Sequence, residues 1–133
     1  MLVDNASYSV IKCPWKYFDE DIYNEKTKRF VITIDNEEAM ILDYLINEEN
    51  CYLLTVYVYE KYRNKNMFIL GGHDMYEFLK ETDLKNIKNL IYPNMDENIK
   101  ILFNFDKRRY FSKFNIFAID TTSQKIEEIY VAI

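Results

Sequence analysis

Hydrophobic and polar positions alternate along much of this chain, and the period of the alternation changes several times. Tyr8, Val10 and Lys12 interleave with Ser7, Ser9 and Ile11, which predicts an edge strand within residues 6–18. Pro14, which cannot donate to a ladder, closes it. Phe30-Val31-Ile32-Thr33-Ile34 is a β-branched run and reads as a second strand. From Glu37 to about Asn47 the period lengthens. Met40, Ile41, Tyr44 and Leu45 share one helical face, widened by Leu42 and Ile46. Asp35 or Asn36 can cap such a helix, with Glu37 and Glu38 in its positive first turn. Cys51 to Tyr59 returns to period two, with Leu54, Val56 and Val58 on one face and Leu53, Thr55, Tyr57 and Tyr59 on the other.

The second half is read in the same way. Arg63-Asn64-Lys65-Asn66 predicts a hairpin turn, and Met67 to Leu70 its returning strand. Gly71-Gly72-His73 then predicts a turn into a helix from Met75 to Lys80, because Asp74 and Glu77 have capping-box spacing. Leu84 to Tyr92 reads as a further helix capped by Asp83, with a stripe of Leu84, Ile87, Leu90 and Ile91. Ile99 to Phe105, Tyr110 to Ile119 and Lys125 to Ile133 read as three strands joined by polar turns. The sum is an α+β fold: a mostly antiparallel sheet of about five to seven strands, with two or three helices packed on one face.

Composition narrows the picture. A chain of 133 residues with 49% hydrophobic content fits one domain, 1–133, and needs no disulfide or metal staple. No stretch approaches the length of a membrane span, and no secretory leader is recognised, so a cytoplasmic setting is expected. Cys13 and Cys51 are then reduced, and with one histidine in the chain a structural zinc site lacks ligands. No metal or cofactor is expected. A net charge of −5 argues against broad nucleic-acid binding and favours a basic protein partner.

Candidate chemistry centres on "ILGGHDMYEF", which holds both glycines and the single histidine. Two adjacent glycines match neither the P-loop, which needs a following Lys and Ser or Thr, nor the three spaced glycines of a dinucleotide loop. Asp74 would also oppose a phosphate. His73 has the chemistry of a general base, and pairing with Cys51 is one route to a nucleophile. The 12 tyrosines are the other signal: Tyr57, Tyr59 and Tyr62 cluster at the end of one strand, as partner-binding residues do. Together with the acidic residues Asp19, Glu20, Asp21, Glu48 and Glu49, and with His73, they form the expected partner surface. The profile fits a small acidic inhibitor without chemistry of its own, above all an immunity protein that covers the basic cleft of a bacterial toxin domain such as a nuclease. The alternatives are a phage or mobile-element inhibitor of a host defence complex, such as an anti-CRISPR protein, and a small enzyme or ligand-binding module built around His73.

Overall fold

The computed structural model describes residues 3–13, 26–93, 97–99 and 113–119. Among the described residues six strands form one sheet in sequence order: β1 (Ala6–Lys12), β2 (Lys28–Ile34), β3 (Glu37–Asn47), β4 (Asn50–Val58), β5 (Asn89–Pro93) and β6 (Asn115–Ile119). The first four pair antiparallel; β4 with β5 and β5 with β6 pair parallel. A 3-10 turn (Glu60–Tyr62) and one long helix, α1 (Met67–Leu79), lie between β4 and β5. The α+β class with a mostly antiparallel sheet is as the sequence predicts.

Several element assignments change. The segment predicted as a helix over 37–47 is β3, the longest strand among the described residues. Asp35 and Asn36 have φ of 51° and 66°, so they make the left-handed two-residue turn of a hairpin rather than a helix cap. The apolar run misleads because a central strand covered on both faces loses its alternation and matches a buried helix equally well. Ala39 and Leu54 are each one extra residue against the partner strand. These bulges reset the faces. Leu53 and Val56 therefore both join the core, where strict alternation had set them apart.

The segment predicted as turn, strand, turn and helix over 63–80 instead forms a short loop and α1, which runs unbroken through both glycines. The predicted helix over 84–92 is a turn followed by β5. Of the predicted strand over 110–119, residues 115–119 form β6. Ile99 is helical together with residues 97 and 98; the remainder of the predicted strand over 99–105, and the last one at 125–133, lie outside the described residues.

The core sits between α1 and one face of the sheet. Phe30, Ile32, Met40, Leu42, Tyr44, Leu53 and Val56 meet Met67, Met75 and Leu79 there. Gly71 makes this packing possible. A Cβ at that position would lie 2.2 Å from Met40 Sδ and 3.2 Å from Ile32 Cδ1. On the opposite face Asp43, fully buried, takes a two-pronged ion pair from Arg29 at 2.7 and 3.0 Å. Asn50, Asn89 and Asn115 stand in register on the three parallel strands and are linked side chain to side chain at 2.8 and 3.2 Å, which pins that register.

Candidate functional site

Where β4 leaves β5 the sheet opens. The two strands pair only from Asn50 to Tyr52, and β4 then continues to Val58 without β5 beside it. The bulge at Leu54 lies two residues past the last pair. Parallel strands that part at their carboxyl ends make the usual ligand crevice of a mixed sheet. A cavity of about 660 Å³ lies at the carboxyl end of β4, against the start of α1. Its lining includes Tyr57, Arg63, Asn64, Asn66, Phe68 and Asn98. Asn98 reaches across to β4, donating to the Val56 carbonyl at 3.3 Å.

The loop from Tyr59 to Asn66 gives the cavity its electrostatics. Asn64 and Asn66 have φ of 64° and 60°, a conformation Asn tolerates better than most residues. Asn66 is the N-cap of α1, and Leu70 N–H already bonds its carbonyl at 3.0 Å. The amides of the first turn have no partner within the helix and carry its positive dipole end into the cavity wall. Arg63 adds a fixed positive charge: Nε donates to Val58 O at 2.9 Å, Nη2 to Tyr57 Oη at 3.2 Å, and the guanidinium lies 5.4 Å from the Tyr57 ring centre. No carboxylate lines the cavity among the described residues. The site is therefore suited to an anion.

The predicted site residues scatter. Tyr57 lines this cavity and is 40% exposed. Tyr59 packs edge-on to Tyr57 and donates to Glu38 at 2.5 Å; that bond and partial burial push its pKa up to about 12. Tyr62 is buried and donates to Glu37 at 2.9 Å, and Lys61 holds the same carboxylate below its ordinary range. Glu48 and Glu49 form the β3–β4 turn at the opposite end of the sheet. Asp19, Glu20 and Asp21 lie outside the described residues. His73 sits mid-helix with its ring 3.0 Å from Asp74 and 3.8 Å from Glu77. Asp74, fully buried, accepts from the Val3 amide at 3.1 Å and from the Tyr8 hydroxyl, so it ties the start of the chain to α1. Cys51 is buried in the core, where burial pushes its thiol pKa up; burial raises that of Cys13 to about 12. Neither His73 nor Cys51 lines the cavity. Arg63, Asn64 and Asn66 were in view in the sequence, but as a polar hairpin turn.

No protein-family model and no curated protein matches the sequence. Solved structures do match the fold. A ribosomal-protein-alanine N-acetyltransferase from Brucella melitensis biovar Abortus 2308 aligns with a TM-score of 0.54 and 10% identity, covering 75% of this chain and 89% of that one. A GNAT family acetyltransferase from Elizabethkingia anophelis, solved with acetyl-CoA bound, aligns at 0.56 and 17% identity over 80% and 76%. An aminoglycoside acetyltransferase from an uncultured soil metagenomic sample aligns at 0.54 and 8% identity over 82% and 90%. The chain shares its overall fold with these acetyltransferases.

That finding corrects the inhibitor reading. Immunity protein, toxin inhibitor and defence inhibitor were inferred from acidity and clustered tyrosines, which describe a surface and not a site. The fold is instead one that acetyltransferases share, and its sheet opens on a cavity suited to an anion. The expectation of a chain without enzymatic chemistry falls with it, and of the readings drawn from sequence the small-enzyme alternative is the nearest. Among the described residues no helix is long and apolar enough to cross a membrane.

Proposed function

We propose that this chain is an acyltransferase that moves an acyl group, acetyl in the simplest case, from a coenzyme A thioester to an amine. The observation that carries the reading is the cavity at the carboxyl end of β4, walled by the first turn of α1, in a fold that a solved acetyl-CoA complex shares. The residues present fit such a ligand. About 660 Å³ is within the usual range for small-molecule sites. The first-turn amides of α1, left-handed Asn64 and Asn66, and Arg63 suit the negatively charged diphosphate. The amide-bearing arm of coenzyme A is chemically an extended peptide, and β4, which runs on past its last pair with β5 at Tyr52, offers it a strand to lie along. When bound, the thioester supplies the activated acyl group. The chain's own residues bind and orient it, and Asn98 with Tyr57 borders its path. Free thiols at Cys13 and Cys51 agree with a cytoplasmic setting, where such thioesters are available.

The test is a thermal-shift and calorimetric titration of the full chain with acetyl-CoA. Ligand at about 100 times its Kd is expected to add about 2.7 kcal/mol of stability. Arg63→Ala is expected to weaken binding about tenfold, the worth of one charge-assisted contact. Release of free thiol in the presence of a panel of amines then reads transfer itself. A chain that acetyl-CoA neither stabilises nor heats overturns the proposal. One that binds it but releases thiol with no amine keeps the binding half and loses the transfer half.

A further inference from the structure

The core face of β1 and β2 ends in two lysines. Tyr8, Val10 and Lys12 alternate along β1 on the same face as Lys28, Phe30 and Ile32 of β2, and the register sets Lys12 directly opposite Lys28. Directly opposed like charges destabilise an antiparallel pair. This protein has 22 acidic residues to draw on, yet the ammonium of Lys12 has no partner among the described residues. Lys28 reaches Asp83 at 3.2 Å, and Asp83 also accepts from Tyr44 Oη at 2.6 Å. Beside the pair lies a cavity of about 590 Å³, lined by apolar Val10 and Ile46 as well as Lys12, Lys26 and Lys28. Ile46 is at the end of the sheet where β4 begins, so the cavity and the acyl-transfer cleft lie at opposite ends, roughly 20 Å apart along the strands.

We infer that this cavity is a second ligand site, which takes a small organic phosphate: a phosphate monoester carried on an apolar body. Such a group is close to dianionic at neutral pH and presents three acceptor oxygens. One phosphate can accept from Lys12 and Lys28 together and convert their repulsion into attraction, while Val10 and Ile46 cover the apolar body. The inference does not depend on acyl transfer at the other end of the sheet.

The test is an amide-resolved NMR titration of the full chain with hexyl phosphate, alongside hexanol and inorganic phosphate. Hexyl phosphate is expected to shift the amides of residues 10–12, 26–28 and 46, inorganic phosphate to do so more weakly, and hexanol not at all. Lys12→Gln is expected to weaken hexyl phosphate about fivefold, as loss of roughly 1 kcal/mol implies. In the absence of any probe the same variant should melt slightly higher than the parent, because the repulsion is gone. Lys28→Gln checks the second ammonium by the same loss of affinity. Vesicles of phosphatidylcholine and phosphatidic acid in equal parts separate the sources. Co-sedimentation that depends on Lys12 assigns the phosphate to a lipid headgroup; binding of the soluble probe alone assigns a free metabolite; and both support the site. Unchanged affinity in Lys12→Gln, a lower melting temperature without probe, or shifts confined to the β4–β5 cleft overturns it.

Discussion

The first turn of α1 and its middle turns are only a few residues apart, yet they are built for opposite purposes. At the start of the helix, Asn64 and Asn66 hold left-handed backbone and Arg63 is fixed against Tyr57 and Val58, so amides and charge face an open cavity. One turn further on, Gly71 and Gly72 are buried, and Asp74 is spent on the Val3 amide, the Tyr8 hydroxyl and His73. Glycine and histidine attract attention in a sequence because they so often serve sites. Here the glycine at 71 has ordinary helical backbone and is needed for close approach to Met40, while the backbone freedom a site needs is supplied by asparagine. Residue type alone does not separate these two uses; the neighbours do.

The largest way to test this division is Asp74→Ala. Removing a buried carboxylate that satisfies several donors is expected to cost about 4 kcal/mol in denaturant unfolding, well beyond the roughly 1 kcal/mol of a lost helix cap. Acetyl-CoA affinity per folded molecule should stay the same. A stable Asp74→Ala protein that no longer binds the ligand would move the site to the middle of the helix. Gly71→Val comes next, at about 2 kcal/mol, since its Cβ meets Met40 and Ile32 in a core with little room to yield. Near-parental stability there would mean that Met40 can swing aside.

At the cavity end the effects are smaller and fall on binding. Asn66→Ala is expected to cost about 1 kcal/mol because alanine resists left-handed backbone, and to weaken acetyl-CoA, whereas Asn66→Gly should keep both. Equal behaviour of the two variants would remove backbone geometry from the argument. The smallest effect is a pH dependence beside the cavity. The folded pKa of Tyr59 is raised to about 12 from an ordinary 10, chiefly by its bond to Glu38. A raised folded value stabilises the protein fully below pH 10, and that contribution is lost as pH rises from 10 to 12. Glu38→Gln should shift the tyrosinate absorbance of this residue toward lower pH. Tyr57→Phe, which removes only the hydroxyl that Arg63 contacts, should leave that titration nearly in place.

Much of the scaffold was legible locally. The strands at 6–12, 30–34 and 51–58 follow from period-two alternation and β-branched residues, and with them the α+β class. Asp35-Asn36 marks a boundary whose meaning is ambiguous in sequence, since the same residues cap helices and close hairpins. The cleft was not legible. It depends on β4 pairing with β5 for three residues and then parting, on a bulge at Leu54, and on Asn98 returning 42 positions later to meet Val56. None of these leaves a periodic trace.

By itself, then, the sequence determined the class of fold, the acidity of the surface and the residue types available at each turn, because those are set by short-range pattern and composition. Tertiary structure decided whether 37–47 would be helix or strand, since burial on both faces erases the period that tells them apart. It also decided that the glycines would pack and the asparagines would line a cavity. Both outcomes depend on which elements lie alongside, and pairing between distant strands sets that.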